Sequence, residues 1–209
     1  TIGDLTRLPS RENLTWLGIG AAAALAAHAG DHQVTTTVTG TKMFGTSLDS
    51  GSAVGGMPVQ LGSAFATFAI GKFTNNQKVT AVGGDLVRAQ LVAQTVSYGL
   101  KYTVQRTRPD GTSYSFPSGH AATTFASATV LQRHFGWKAG VPAYAVASLV
   151  ATSRIRDNRH YLSDVVFVAT IGMVAGRTVT IGRGDTRFAL TPMATSGGAG
   201  VGFTLVGNK

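Results

Sequence analysis

Residues 117–135 read PSGHAATTFASATVLQRHF, and this stretch predicts a helix that opens with a turn. Pro117 ends the preceding segment, and Ser118 is a residue type favoured at a helix N-cap. Unpaired backbone amides at a helix N-terminus attract anions, and Gly119 lets an anion come close to the backbone. Ordinary capping explains Pro117 and Ser118 but leaves His120 unexplained. The stretch therefore predicts a helix start that can bind an anion beside a histidine.

Helix signals continue on both sides of this stretch. The predicted helices, including this one, cover residues 13–28, 52–72, 76–107, 118–135, 138–153 and 159–180. Residues 31–51 are rich in Thr, Ser and Gly, so they predict a connecting loop with short helical pieces. The low charge and the abundance of small residues favour closely packed helices over disorder.

The end of the chain has a different pattern. Residues 187–191 and 201–206 are short strand-like runs on either side of a glycine-rich turn, which predicts a β-hairpin. The predicted fold class is therefore mainly α: a single-domain helical bundle over residues 1–184. A short C-terminal β-hairpin over residues 185–209 extends the same domain.

The composition limits the kinds of partner and chemistry. The 209 residues suit one domain, and a net charge of +9 favours anionic partners such as phosphorylated substrates or anionic headgroups. Basic residues form no run of the kind that binds nucleic acid, so we expect no nucleic-acid partner. The chain has no cysteine, which excludes a thiol nucleophile, a disulfide framework and a cysteine-based zinc site.

The apolar stretches are short for membrane-spanning helices, which need ~20 predominantly apolar residues. Residues 50–71 form an uncharged run of 22 residues, of which 11 are apolar. These features favour a water-soluble domain peripheral to a membrane and leave a bundle of weakly apolar spanning helices as the alternative. Residues 14–26 resemble a signal peptide, but the acidic residues Asp4 and Glu12, which precede this stretch, favour a first core helix.

A pair of cations precedes the Pro-Ser-Gly-His turn. Lys101 and Arg108 are seven residues apart, almost two helical turns, so on the predicted helix they share a face. For this pair alone, a solvated basic face is the ordinary interpretation. The functional interpretation is a bipartite phosphate clamp, in which Arg108 is a planar fork and Lys101 is a point charge.

A third block follows the turn. His160 and Asp164 are four residues apart at a predicted helix start, and Arg154 precedes His160 by six residues. A carboxylate at this spacing can accept the proton of one ring nitrogen, which leaves the lone pair of the other nitrogen as a nucleophile. The alternative is a surface His–Asp pair, which contributes only about 0.2–0.5 kcal/mol.

Two further patterns have ordinary structural explanations. His28, Asp31 and His32 imitate metal ligands, but without another ligand at matching spacing we expect helix-end packing. Gly172 and Gly176, four residues apart, imitate a membrane dimer motif, for which close helix packing in a core is the preferred explanation.

The three blocks together resemble a known signature. Lys-x6-Arg-Pro, then Pro-Ser-Gly-His, then Ser-Arg-x5-His-x3-Asp, over residues 101–164, are similar to the signature of the type 2 phosphatidic acid phosphatase superfamily. That superfamily also includes bacterial class A acid phosphatases and vanadium haloperoxidases. The link between the first two blocks, residues 110–116, is short and leaves little room for a loop that covers a substrate.

The resemblance implies a role for each matched residue. His160 attacks phosphorus and forms a phosphohistidine, Asp164 orients His160, and His120 is the general acid and then the general base. The oxygens of the phosphoryl group are bound by the remaining matched residues, namely Lys101, Arg108, Ser118, Gly119 and Arg154. No metal is expected, because three cations can supply the charge stabilisation that Mg²⁺ supplies in other enzymes.

The resemblance thus implies a metal-independent phosphatase outside the cytoplasm, in the periplasm or at a membrane. Its substrate would be a phosphomonoester or a lipid (pyro)phosphate such as phosphatidic acid, an isoprenyl diphosphate or a small soluble phosphate. No cofactor is expected, and vanadate would be an inhibitor. In the alternative, a haloperoxidase, vanadate would be the cofactor, although the modest length favours a phosphatase. A non-enzymatic anion-binding protein would not need His120, His160 and Asp164.

Overall fold

The chain folds into a bundle of helices followed by a two-stranded hairpin. The computed structural model describes residues 2–40, 50–181, 186–195 and 198–207. In these residues the helices are α1 (Ile2–Arg7), α2 (Arg11–His28), α3 (Asp31–Gly40), α4 (Gly51–Gly55), α5 (Met57–Phe73), α6 (Gln77–Val104), α7 (Gly119–Phe135), α8 (Trp137–Arg156) and α9 (Leu162–Val179). The strands are β1 (Thr186–Thr195) and β2 (Gly198–Gly207). The predicted mainly α class is confirmed.

Local signals set the ends of the long helices. The side chain of Asn76 accepts a hydrogen bond from the amide of Val79 at 3.1 Å, which caps the start of α6. Gln105 has a left-handed backbone with φ of 50°, so α6 ends at Val104, before the predicted end at residue 107. Gly136, with φ of 74°, separates α7 from α8.

Helix α9 lies at the centre of the bundle and packs against α2, α6 and α7. A methyl carbon on Gly172 would lie 2.6 Å from the carbonyl oxygen of Ala122, and one on Gly176 would lie 2.6 Å from Cβ of Thr129. The two glycines therefore let the backbones of α7 and α9 come together. The close helix packing predicted at these two positions is confirmed.

Helix α3, with 10 residues, is longer than the short helical pieces predicted within the connecting loop over residues 31–51. Its threonine hydroxyls donate to carbonyls one turn earlier, as from Thr35 to Asp31 at 2.7 Å and from Thr37 to Gln33 at 2.8 Å. These bonds keep the polar groups within the helix, so a composition typical of loops is compatible with helical structure. Residues 41–49 of the predicted loop lie outside the described residues.

The C-terminal strands pair in an antiparallel register. Thr186 lies opposite Gly207 at one end of the pair, and Thr195 lies opposite Gly198 at the other. The strands include both strand-like runs that predicted the hairpin. The division of the chain between residues 184 and 185 lies outside the described residues and stays a prediction.

Large apolar side chains are exposed on the outer helices. Among the described residues, α9 is long and apolar enough to cross a bilayer, but most of it is buried in the bundle, as in the core helix of many soluble proteins. The outer helices α2, α5 and α8 instead expose Leu14, Ile19, Leu25, Phe65, Phe68, Ile70, Phe73, Val141, Val146 and Leu149. Exposed apolar surface of this extent is typical of a site of interaction with a membrane or another protein.

Candidate active site

The three sequence blocks meet at one cavity of about 300 Å³. Its lining includes six of the eight predicted site residues: Lys101, Arg108, Gly119, His120, Arg154 and His160. The other lining residues are Met57, Gln94, Ser97, Tyr98 and Tyr114. Ser118 and Asp164 are not in the lining, although both are fully buried beside it. The cavity therefore combines three cationic side chains with two imidazole rings.

Lys101 and Arg108 reach the cavity from different elements. Lys101 is in the last turn of α6, and its Nζ donates to the carbonyl oxygen of Tyr114 at 3.0 Å. Because α6 ends at Val104, Arg108 lies in the following loop, where its amide donates to the carbonyl oxygen of Thr112 at 2.7 Å. The prediction that the two cations share a helix face is therefore wrong. The loop still brings both side chains to the same cavity.

Both arginines of the cavity have donors that remain unpaired. Arg154, in the last turn of α8, donates to Asp157 at 3.1 Å and to the hydroxyl of Ser52. Its Nε and the Nε of Arg108 are buried without a hydrogen-bond partner among the described residues. Buried unpaired donors are costly. The two unpaired Nε–H groups of Arg108 and Arg154 are therefore suited to bind an anionic ligand.

The start of α7 differs from a standard side-chain cap. Ser118 is the N-cap residue, as predicted, but its side chain makes no capping hydrogen bond, and its buried hydroxyl has no partner among the described residues. A methyl carbon on Gly119 would lie 3.0 Å from Oε1 of Gln94. The glycine therefore leaves room for the side-chain amide of Gln94 at the start of α7.

The His160 ring is held through its Nδ1 atom. The ring is 3% exposed, and Nδ1 donates to the backbone carbonyl oxygen of Ser115. Because a carbonyl can only accept, the proton is assigned to Nδ1, which leaves the lone pair on Nε2. Burial, followed by the charge of Lys101, holds the pKa of His160 well below its usual value. The ring is thus neutral and suited to nucleophilic attack.

Asp164 does not bind His160 in the way that the sequence predicted. Helix α9 begins two residues after His160, so the two residues do not share a helix face, and the distance from Nδ1 to Oδ2 is 3.9 Å. The carboxylate instead accepts from the amide of Tyr161 at 2.9 Å, from Arg106 at 2.6 Å and from the hydroxyl of Ser115. The predicted direct hydrogen bond is therefore wrong, because Asp164 caps the start of α9.

The cavity lowers the affinity of its own basic groups for protons. Burial is the largest cause of the lowered pKa of His120, which is about 4, and the charges of Arg154, Lys101 and Arg108 add to it. Burial, and then Arg108, lower the pKa of Lys101 to about 8. A bound anion would oppose these effects, because its negative charge favours the protonated form of each group.

Sequence reasoning did not identify Arg106, although it lies within the first block. Its Nη1 donates to Asp164 and, at 2.8 Å, to the hydroxyl of Ser163, and its Nη2 donates to Asp31 at 2.8 Å. Helix-end packing was predicted for His28 and Asp31, and the His28 ring lies 2.8 Å from the Asp31 carboxylate, but Asp31 is also part of the network around Arg106. The sequence feature that could have identified Arg106 is its position, two residues before Arg108.

Sequence reasoning also missed two polar residues of the cavity wall, Gln94 and Ser97. They precede Lys101 on α6 by seven and four residues, so the spacing on a long helix was the available signal. In the described parts of the chain, no group of three or more histidine, aspartate or glutamate side chains lies close enough to hold a metal ion. The expected independence from metals stays a prediction.

Comparison with known proteins gives matches to one family. A family model described as the PAP2 superfamily matches residues 83–187, a range that contains all three blocks. The chain is 43% identical over 96 residues to a lipid A 1-phosphatase of Porphyromonas gingivalis, a match that covers 44% of this chain and 21% of that protein. It is 33% identical over 100 residues to a lipid A 4'-phosphatase of Helicobacter pylori, covering 42% of this chain and 50% of that protein.

Two solved structures are similar in fold. A transmembrane PAP2-type phosphatidylglycerolphosphate phosphatase from Bacillus subtilis has a TM-score of 0.67 at 20% identity, over 81% of this chain and 92% of that chain. LpxE from Aquifex aeolicus has a TM-score of 0.61 at 20% identity, over 72% of this chain and 94% of that chain. At this identity the likeness shows a shared fold.

Proposed function

Because this chain belongs to the PAP2 superfamily, we propose that it is a metal-independent phosphatase that acts on lipid phosphates and related phosphomonoesters or diphosphates. The observation that carries the proposal is the convergence of Lys101, Arg108, Arg154, His120 and His160 on one cavity. Phosphoryl transfer depends mainly on positioning and charge stabilisation, and this cavity offers both. Cations alone would suffice to bind a phosphate, whereas two neutral imidazoles also allow chemistry.

In the first step, Nε2 of His160 attacks phosphorus while the bond from phosphorus to the leaving oxygen breaks. The Nδ1 proton stays on the ring, because it is donated to the carbonyl of Ser115. Lys101, Arg108 and Arg154 lie around the cavity and bind the phosphoryl oxygens. The product of this step is a phosphohistidine and an oxyanion that needs a proton.

His120 supplies that proton and later takes one back. Its pKa of about 4 means that the ring is neutral near neutral pH in the free protein. A bound phosphate raises this pKa, so substrate binding and protonation of His120 are coupled. In the second step the neutral ring takes a proton from water, whose oxygen attacks the phosphohistidine. Inorganic phosphate leaves, and His160 is again neutral.

A lipid substrate is supported by the surface of the bundle as well as by the named relatives. The exposed apolar side chains of α2, α5 and α8 would contact acyl chains, so we propose that the protein is associated with a membrane. Tyr98 and Tyr114 line the cavity, and Tyr102 stacks on Tyr98 and contacts the edge of Tyr114. These rings are suited to contact the group that carries the phosphate. An extracytoplasmic location remains part of the proposal.

A panel of substrates tests this function. The purified chain is incubated with p-nitrophenyl phosphate, phosphatidic acid, an isoprenyl diphosphate and lipid A, each with and without EDTA. We expect phosphate release from at least one lipid, inhibition by vanadate and no effect of EDTA. His160→Ala should abolish release, whereas His32→Ala, which removes an exposed histidine, should not.

Each other outcome contradicts the proposal. If none of the compounds releases phosphate, the protein is not a phosphatase. If EDTA abolishes the activity, the enzyme depends on a metal. Halide oxidation in the presence of vanadate and peroxide, without phosphate release, would establish the haloperoxidase alternative instead.

A further inference from the structure

Two buried carboxylates and the half-buried Arg106, from distant parts of the chain, form a charged network beside the cavity. Arg106 lies between two carboxylates, with Nη2 at 2.8 Å from Asp31 and Nη1 at 2.6 Å from Asp164. Asp31 also accepts from the amide of Ser163 at 2.8 Å and from its hydroxyl at 2.6 Å. The network thus joins the start of α3, the loop after α6 and the start of α9.

The same network holds the residue that orients the nucleophile. The amide of Ser115 donates to the backbone carbonyl of Arg106 at 2.7 Å, and the hydroxyl of Ser115 donates to Asp164. The carbonyl of Ser115 accepts the Nδ1 proton of His160. Ser115 is therefore held at its amide by the backbone of Arg106 and at its hydroxyl by Asp164, which Arg106 also binds. Its carbonyl in turn holds the imidazole of His160.

From these contacts we propose that Arg106 and Asp31 are positioning residues that set the orientation and the tautomer of the His160 ring. Neither residue lines the cavity, so they act through Asp164 and Ser115 rather than by touching the substrate. The kinetic part of this inference rests on the proposed function, whereas the tautomer of His160 can be observed without any activity.

The charges explain why an arginine is needed between the two carboxylates. Asp164 is 0% exposed, so loss of Arg106 would leave its buried charge without this contacting cation. The carboxylate would keep its bonds from Ser115 and Tyr161 but would no longer be held against Arg106. Ser115 would then move, and the His160 ring would lose its fixed acceptor.

The test compares Arg106→Gln with Arg177→Gln. Arg177 also joins two helices through a carboxylate, that of Glu12, but it lies away from the cavity. We expect Arg106→Gln to lower kcat by roughly 10- to 100-fold, because small displacements of a reacting group have effects of this size. KM and the inhibition constant of vanadate should change by less than about threefold, since the cations of the cavity remain. Arg177→Gln should leave kcat, KM and the inhibition constant of vanadate unchanged.

Nitrogen NMR of histidine-labelled protein gives the second readout. In the wild type we expect His160 to be the tautomer with its proton on Nδ1, and in Arg106→Gln a mixture of the two tautomers. Asp31→Asn should have the same effect to a smaller degree, because Arg106 keeps its bond to Asp164. If the wild type hydrolyses no substrate, the proposed function fails, and the tautomer still decides this inference.

Two further variants deal with folding. Where Arg106→Gln does not fold, Asp31→Asn and Arg106→Lys take its place, since a lysine keeps the charge but cannot bridge both carboxylates with a planar fork. Arg106→Lys should have a kcat between those of wild type and Arg106→Gln. An unchanged His160 tautomer together with a wild-type kcat would overturn the inference. A loss confined to KM and vanadate affinity would also overturn it, because it would place Arg106 in phosphate binding.

Discussion

His160 is oriented by the backbone of Ser115: its Nδ1 atom donates to the Ser115 carbonyl oxygen. Asp164, which the sequence spacing presents as the partner, lies 3.9 Å from the same nitrogen. The carboxylate acts on the ring indirectly, because it accepts from the hydroxyl of Ser115 and from Arg106. This arrangement predicts that the two side chains have unequal importance.

We therefore expect Ser115→Ala to lower kcat by roughly tenfold, since the alanine keeps the carbonyl that binds His160 but loses the hydroxyl bond to Asp164 that helps to hold it. Asp164→Ala should lower it by more than roughly 100-fold, because the cap of α9, the partner of Arg106 and the anchor of Ser115 are lost together. Steady-state kinetics on one soluble phosphate, with circular dichroism to check folding, measures both. Equal losses would show that the hydroxyl, rather than the carbonyl, orients the ring.

The lowered pKa of Lys101 predicts the pH above which kcat/KM falls. Its pKa is lowered to about 8 by burial and by Arg108, so the side chain is a cation below that pH and becomes neutral above it. We expect kcat/KM, which reports the free enzyme, to fall as pH rises through about 8. Lys101→Arg keeps its charge and should move this fall to higher pH. A pH profile of the variant that coincides with that of the wild type would assign the limit to another group.

The position of Ser97 predicts a contact with the bound anion from a residue outside the three sequence blocks. Its hydroxyl lines the cavity, is 1% exposed and has no hydrogen-bond partner among the described residues. A buried unpaired hydroxyl costs about 1–3 kcal/mol, which a bound oxyanion would relieve. We expect Ser97→Ala to weaken inhibition by vanadate by roughly 3- to 10-fold. Thr95→Ala, on the exposed side of the same helix, is the control. Unchanged inhibition in Ser97→Ala would exclude this contact.

The contact between α7 and α9 predicts a loss of stability when a methyl group is added. Gly172→Ala would place a carbon 2.6 Å from the carbonyl oxygen of Ala122, so the helices must move apart. We expect a loss of about 1–3 kcal/mol in the free energy of unfolding. Gly18→Ala, at an exposed helical site with nothing within 4 Å, should be neutral or slightly stabilising. Thermal or denaturant unfolding followed by circular dichroism compares the two. Equal stability of Gly172→Ala and the wild type would refute the close contact.

The sequence predicted the parts of this protein that depend on local signals. The helix start at Pro117 and Ser118 was predicted from the residue types, and the gap between the predicted helices 118–135 and 138–153 matches the break at Gly136. The three blocks also identified six residues that line one cavity. The full length of helix α3 was not predicted because threonine-rich segments are common in loops, and its hydroxyl hydrogen bonds are visible only in three dimensions.

The remaining errors concern positions where one or two residues decide the geometry. The left-handed backbone at Gln105 places Arg108 in a loop, and the late start of α9 places His160 before the helix. Arg106 gains its role from Asp31 and Asp164, which are close to it only after folding. Spacing rules apply within one helix, so they cannot predict contacts that the tertiary fold creates.

A phosphohistidine at His160 can be trapped chemically, because the phosphoryl group would be bound to Nε2 between the two steps. Wild-type protein is mixed with a radiolabelled phosphate ester, quenched in alkali, which preserves phosphohistidine, and mapped by peptide. We predict label on the peptide that contains His160, and no label in His160→Ala. Label on a different residue, or normal turnover by His160→Ala, would contradict the account.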